Sequence, residues 1–478
     1  MSESNSAGVA FVSWPTASFT ESLVLKAIQR LSPPPQVVSS LSGITPDTKL
    51  LQWSTYDDMD HELTHLRRSS VLASSYVIRK ALIRKHFLSR TIHAYLTKNP
   101  DSVLRDASPR TYEMEISYAD ELDEIFADEL YDLEQDLEQG RWWILKPGMA
   151  DRGNGIRIFN SKESLTQIFE EFEDDSEDEG DKKDVGTGVV TSQLRHFVVQ
   201  EYIDRPLLLD PRERPIDASP FHLRAYCVAS GAITLYLYDR ILALFSSVPY
   251  TPPQSSASDS PSSIDLAPHL TNTSLQTHRG EEGVRLLDEL VGPTFTQEHI
   301  DDIVQQISQI LGETFKAALA NPVHFQPVPN AFELFGVDFL VQHNPHADAP
   351  ARRGSQHAPS EPPNPNLNPS PKLNAAQFPP RPFLVKLLEI NAEPAIELTG
   401  PRLAWILKDL FVAIGERCVA PFFGGGEEGG EVEGGGSGRE GESGRGDGVQ
   451  KHGAQRPGAR ECQESSHFIT CLQETRGG

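Results

Sequence analysis

The chain has 478 residues, 38% of them hydrophobic, with 35 Gly, 36 Pro and a formal charge of -25. That length accommodates two or three packed layers, while the Gly and Pro content implies stretches that never join a core. The acidity disfavours nonspecific binding to nucleic-acid phosphates or anionic lipid. Cys227, Cys418, Cys462 and Cys471 stand far apart with no CxxC pairing, so neither a zinc site nor a disulfide framework is written in the sequence.

The opening MSESNSAGVAFVSWP lacks the basic segment and apolar core of a secretory signal, and no run approaches the roughly 18 apolar residues of a membrane span. A cytosolic chain with no membrane and no nucleic acid as partner is therefore expected. GVAFVSW reads as a strand and SFTESLVLKAIQRL as the amphipathic helix after it, an opening that suits a small α/β domain over 1–75. From Asp60 to Thr97 the pattern is helical, with Arg79, Lys80, Arg84 and Lys85 read as a solvated face, and His86 and His93 as surface residues. ELDEIFADELYDLEQDLEQG predicts another helix, stopped by Gly140.

The like-charged run around 172–192 cannot bury surface and predicts a disordered insertion, as do the Pro/Ser/Asn-rich stretches 251–264 and 343–380. From 424 to 478 the chain is Gly/Glu-rich and predicts a disordered tail with no core-forming pattern. What remains divides into a central lobe over 76–203 and a C-terminal lobe over 204–423.

Within the central lobe, WWILKPGMADRGNGIRIF places Lys146 at the end of an apolar strand and Gly148, Gly153 and Gly155 in the loop that follows. Such a loop can bring backbone amides close to an anion, because glycine has no Cβ in the way. It is not a Walker loop, since Asn154-Gly155 stands where that motif has Lys-Ser/Thr. On its own the pattern also suits a glycine hairpin between two strands, which is the commoner case. Support comes from FELFGVDFLV and FLVKLLEINAEP, two apolar strands carrying Asp338 and Glu389. Strand alternation puts Glu389 and Asn391 on one face, where oxygen ligands could hold Mg²⁺ together with phosphate oxygens.

WWILKPGMADRGNGIRIF, VVQEYIDRPLLL, FHLRAY, HLTNTSLQ, FELFGVDFLV and LLEINAEPAI occur in one order, and in that order the chain resembles the tubulin-tyrosine ligase family over roughly 50–423. WSTYDDMDHELTH and RKALIRKHFL are similar to the family's fungal branch associated with processing bodies, whose yeast member carries a further nucleotidase-like domain not found in these residues. The resemblance implies an α+β ATP-grasp fold whose two lobes clamp Mg-ATP. It implies that Lys80 and Lys146 meet phosphates and that Gly148, Gly153 and Gly155 belong to the loop over them. The backbone of Gln200, Glu201, Tyr202 and Ile203 would line the adenine slot, with His269, Thr271 and Asn272 near the nucleotide. Asp338, Glu389 and Asn391 match the magnesium ligands, and Arg224 would meet the transferred phosphate or the substrate carboxylate.

Three departures stand beside these matches. Pro220 replaces a family lysine, His222 an aspartate, and Leu244 an arginine that holds the protein substrate's carboxylate, with Arg240 nearby. The resemblance implies an ATP-dependent enzyme that joins a free amino acid to a protein carboxylate through an acyl phosphate, tubulin being the family's usual acceptor. The departures favour an alternative, a nucleotide-binding interaction protein of the cytoplasmic messenger-RNA decay machinery with ligation reduced or lost. A carboxylate-amine ligase acting on a small molecule shares the fold and stays open.

Overall fold

A computed structural model describes residues 8–148, 155–177, 195–210, 218–254, 264–271, 283–347, 381–424 and 467–474. Three sheets follow one another along the chain. The first is all parallel, in the order β2-β1-β3-β4, and contains β1 (Val9–Ser13), β2 (Gln36–Val38), β3 (Leu50–Ser54) and β4 (Val71–Ala73). Helices α1 (Ser18–Gln29) and α2 (His61–Leu66) connect its strands. The opening strand and helix lie where the periodicity predicts them. The helical pattern expected from Asp60 to Thr97 is interrupted, because Val71–Ala73 pairs with β3 and is wholly buried, so sheet pairing overrides local period. The helix resumes as α3 (Lys80–Ile83) and α4 (Lys85–Lys98), followed by α5 (Leu104–Ala107).

The second sheet is antiparallel, in the order β5-β8-β6-β7: β5 (Thr111–Glu115), β6 (Trp143–Pro147), β7 (Arg157–Phe159) and β8 (His196–Glu201). Its core is closed by α6 (Leu122–Ala127), α7 (Tyr131–Glu138) and α8 (Lys162–Glu177), so the helix expected over 121–140 is two. α8 also runs into the acidic stretch expected to be disordered from 172. Phe172 stacks on Phe197 with ring centroids 6.2 Å apart, which holds that turn against the sheet. The remainder of that stretch, 178–192, lies outside the described residues, as do 255–263 and 348–380 of the two other expected insertions.

The third sheet holds β9 (Leu208–Leu209), β10 (Ser219–Ser230), β11 (Thr234–Tyr238), β12 (Leu242–Phe245), β13 (Val284–Leu286), β14 (Phe332–His343), β15 (Phe383–Ala392) and β16 (Phe468–Gln473). Two cores flank it. Phe221, Leu223, Ala225, Cys227 and Ala229 of β10 face a core shared with α9 (Gln297–Leu319), whose Ile303, Ile307, Ile310, Leu311 and Phe315 recur at helical spacing. Ala81, Leu82, Leu88, Ile92 and Leu104 belong to the same core, so α3 to α5, expected in the central lobe, pack with the third sheet. Tyr226 and Val228 face the opposite way, into a core made with α1, α10 (Ala404–Ile414), α11 (Ala420–Phe423) and the first sheet. There Trp53 meets Phe332 edge-on at 5.4 Å and stacks on Phe411 at 6.0 Å.

Helices and largely antiparallel sheets together give the expected α+β class. The tail is the correction. β16 lies within the region from 424 expected to lack structure, yet it pairs antiparallel with β11, matching Leu235 to Leu472 and Leu237 to Ile469. Leu472 is buried, and Ser308 Oγ on α9 donates to Cys471 Sγ at 3.2 Å. Residues 425–466 lie outside the described residues. Removing 467–478 forfeits about 2 kcal/mol for Leu472 alone and lowers the melting temperature by about 2–4 °C in scanning calorimetry; an unchanged melting temperature would show that β16 adds nothing.

Candidate active site

β10, β14 and β15 run side by side, and their register places Arg224 opposite Asp338, Asp338 opposite Glu389, and Gly336 opposite Asn391. Between Asp338 and Phe339 the register slips, so that Phe339 faces Leu387 and Leu388 has no partner. This bulge re-aims β15. Leu387 and Ile390 enter the α9-side core, while Glu389 and Asn391 turn to the face that carries Arg224 and Asp338. Arg224 grips Asp338 with both arms, Nε to Oδ1 at 2.5 Å and Nη2 to Oδ2 at 2.9 Å. Asn391 Nδ2 reaches Glu389 Oε1 at 3.2 Å and Asp338 Oδ2 at 3.4 Å.

Two further cations converge from other elements. Lys85 Nζ, at the start of α4, lies 3.3 Å from Glu389 Oε2. Lys146 sits on β6 and is 9% exposed; its Nζ donates to Gln200 Oε1 at 2.6 Å. Burial lowers the Lys146 ammonium to about 8, against the raising influence of Glu389. Burial would raise Glu389, but Lys85 and Lys146 hold it down to about 2. Burial pushes Asp338 up despite Arg224, with the neighbouring Glu389 carboxylate adding to the rise.

The glycine loop leaves the sheet beside this cluster. Gly148 N–H donates to His196 O at 2.7 Å. Gly155 has φ +70°, and a Cβ there would stand 2.8 Å from Pro147 Cγ, so only glycine fits the return of the loop. Gly153 and Asn272 lie outside the described residues. At the end of β8, Glu201 N–H is taken by Arg110 O and Tyr202 N–H by Trp142 O, while among the described backbone hydrogen bonds Ile203 N–H has none. Tyr202 joins Ile144, Ile156, Ile158 and Leu270 in a separate apolar cluster next to the loop, and its hydroxyl meets His269 Nδ1 at 2.9 Å. Thr271 Oγ1 bonds His222 Nδ1 at 2.5 Å, and His222 Nε2 lies 3.7 Å from Asp338 Oδ1.

The structure thus gathers Lys146, Arg224, Asp338, Glu389, Asn391, Gln200 and Thr271, with Gly148 at the loop's near end. Lys80 is exposed at the start of α3, and Lys85 makes the contact with Glu389 instead. Three participants escape the sequence reading. Lys85 is read as part of a solvated face, Gln200 only as backbone, and His86 as a surface residue. His86 is half-buried against Gly148, stacked on His196 at 5.4 Å, and lowered to about 4 by burial. A signal for Lys85 existed: it lies five residues beyond Lys80 and opens a helix whose N-cap, Arg84, makes no side-chain cap.

Two carboxylates and an amide, with no thiolate and no imidazole among them, form a hard oxygen donor set of the kind that suits Mg²⁺ with phosphate oxygens. Rotating the Asn391 amide offers its oxygen to the same point. Three cations against two carboxylates leave a surplus positive charge beside a glycine loop, which favours a polyanion.

A model of the tubulin-tyrosine ligase family matches residues 67–423. Among curated proteins, the "Probable tubulin--tyrosine ligase PBY1" of Saccharomyces cerevisiae is 35% identical over 418 residues, covering 83% of this chain and 50% of the yeast protein. The "Probable tubulin--tyrosine ligase C12B10.04" of Schizosaccharomyces pombe is 37% identical over 390 residues, covering 78% of this chain and 83% of that protein. The chain therefore spans half the length of the first and most of the second. Among solved structures, the C-terminal domain of K. lactis Pby1, described as an ATP-grasp enzyme interacting with the mRNA decapping enzyme Dcp2, matches with a TM-score of 0.61 at 28% identity. That match covers 98% of this chain and 100% of that one.

An anion brought beside Lys146 restores its proton, so ATP binding takes up about one proton at about pH 9 and almost none at about pH 6. Calorimetry in buffers of different ionisation enthalpy reads this uptake; it should vanish in Lys146→Arg, and an uptake unchanged in that variant would assign the proton elsewhere. Lys85→Ala should weaken ATP binding about tenfold, about 1.4 kcal/mol, and Lys80→Ala much less; the reverse order would return the phosphate contact to Lys80.

Proposed function

The chain belongs to the tubulin-tyrosine ligase family and has its ATP-grasp fold, and from that premise we propose that it is an ATP-dependent ligase adding an amino acid to a protein carboxylate. The observation that carries this reading is the convergence of Lys146, Lys85 and Arg224 on Asp338, Glu389 and Asn391.

In the first step an acceptor carboxylate oxygen attacks the γ-phosphorus of ATP, ADP leaves, and an acyl phosphate forms. In the second the amine of a free amino acid attacks the acyl carbon, inorganic phosphate leaves with the electron pair, and the amine's proton passes to water. Mg²⁺, when held by Asp338, Glu389 and Asn391, supplies neutralisation of phosphate charge. Lys146, oriented by Gln200, and Lys85, at the N-terminus of α4, bind the phosphates. Arg224 is assigned to the transferred phosphoryl group or the acceptor carboxylate. The apolar cluster around Tyr202 excludes water from the base side. Because this chemistry is positioning and electrostatics, no side chain need act as a nucleophile.

One observation favours a second reading. Leu244, where a ligase of the family holds the acceptor with a cation, is buried and pairs with His222. The solved K. lactis relative is described as interacting with a decapping enzyme. On that reading the chain binds nucleotide, acts as an interaction protein in cytoplasmic decay bodies, and has lost ligation.

Intact-mass spectrometry of tail-shortened α-tubulin, incubated with the protein, Mg-ATP and mixed amino acids, separates the two. A discrete mass gain that disappears in Glu389→Gln and Lys146→Ala supports the ligase and identifies the amino acid. No gain on tubulin, together with an ATP-dependent rise in melting temperature, moves the second reading ahead.

A further inference from the structure

Resting on the nucleotide-site reading above, we infer that Glu393 is a positioning residue through which the first sheet holds Asn391 and Arg224 in place. Glu393 is the one described residue other than glycine with a positive φ, +50°. It also precedes Pro394, where steric contact with the proline ring favours extended backbone. An exposed glutamate gains nothing from this conformation by itself, so its surroundings must impose it.

The restraint comes from the first sheet. Tyr56 N–H donates to Glu393 Oε1 at 2.8 Å. Tyr56 lies two residues past the end of β3, and it is fixed on two further sides. Its hydroxyl donates to Val77 O at 3.0 Å, and its ring lies 3.9 Å beneath the Arg79 guanidinium. Arg79 is itself held in a buried ion pair with Glu333 at 2.8 Å, and Glu333 accepts from Tyr76 N–H at 3.0 Å. The donor that reaches Glu393 is therefore set in a rigid frame.

The reversed turn carries Pro394 back over β14. A Cβ on Gly336 would stand 2.6 Å from Pro394 Cβ and 3.4 Å from Arg224 Cδ, so the absent side chain leaves room for both. Gly336 is the residue opposite Asn391. The proline ring, the Arg224 shaft and Asn391 thus meet around Gly336, and the turn at Glu393 sets where the ring falls. Nothing in the proposed chemistry uses the Glu393 carboxylate, and its oxygen is occupied by a backbone amide.

The test uses the full chain with Glu393→Gln, Glu393→Ala and Glu393→Gly. Hydrogen exchange over residues 384–398 reads the turn without any ligand, and calorimetry reads ATP affinity with Mg²⁺ and with EDTA. Glutamine keeps an acceptor oxygen, so it should retain wild-type protection and affinity. Alanine should lose protection and weaken Mg-ATP binding about tenfold while leaving ATP binding in EDTA within about twofold. Glycine removes the backbone strain but not the need for an anchor, so it should melt no lower than alanine and bind Mg-ATP as weakly. Wild-type protection in Glu393→Ala would overturn the inference, as would a Glu393→Gln variant as weak as alanine, which would make the carboxylate charge a direct ligand. If the wild type binds no Mg-ATP, the nucleotide reading falls, and the exchange pattern still decides whether Glu393 anchors the turn.

Discussion

Asp338, buried, and Glu389, partly buried, face each other across neighbouring strands, and the rest of the site answers that constraint. Burying one unpaired carboxylate costs several kcal/mol even after its pKa shifts, a large share of a typical domain's net stability of about 5–15 kcal/mol. Two in contact add mutual repulsion. The chain meets this with cations drawn from three separate elements: Arg224 from β10, Lys85 from α4 and Lys146 from the second sheet. The same charges therefore tie the second sheet electrostatically to the third. Because these pairings are largely ionic, a polyanion with a divalent cation could replace them, so on the proposed reading the constraint on folding and the capacity to bind are one feature.

That arrangement depends on a single unpaired residue. Strict alternation from Phe383 would send Glu389 to the side of Val385 and Leu387, into the α9-side core with no cation available. The register slip at Leu388 moves Glu389 and Asn391 to the other face while Ile390 stays in the core. Losing one ladder position costs little beside a stranded carboxylate. The bulge is the cheaper solution by a wide margin, and it accounts for a strand whose hydrophobic pattern carries an acid in an apparently buried phase.

Much of the site was legible because its residues are unusual where they stand. An acid inside an apolar strand, as at Asp338 or Glu389, and a lysine closing WILKP are locally improbable, and they can be read without knowing what lies opposite. The α+β class and the opening strand and helix follow from period in the same way. What was not legible depends on distant partners. Lys85 looks like any solvated helix cation until Glu389, 304 residues later, comes beside it. FITCLQ is six residues beyond a long Gly-rich stretch, and only the edge of β11 makes it a strand. The last turns of α8 are acidic by composition, yet one phenylalanine on Phe197 outweighs that bias. In each case a contact distant in sequence overrode a correct estimate of local preference.

The departures from the family pattern also gain a physical relation once the strands are aligned. His222 and Leu244 are directly opposite each other on β10 and β12. An aspartate at the first position would add a third carboxylate beside Asp338, and an arginine at the second would offset it. Without that pair the two lost charges cancel, although Pro220, in place of a lysine, still leaves one positive charge fewer. The resulting pair needs no charge: Leu244 is buried, and His222 is held by Thr271 with its other ring nitrogen turned toward Asp338. Losing either alone would have left a buried charge uncompensated. On the proposed reading these two departures act together: the cations around Asp338 and Glu389 stay in place, while position 244 offers no cation to an acceptor's carboxylate. If the proposed ligation holds, the effect of this pair falls on the acceptor side of the site, because neither residue replaces any of the charges that meet at Asp338 and Glu389.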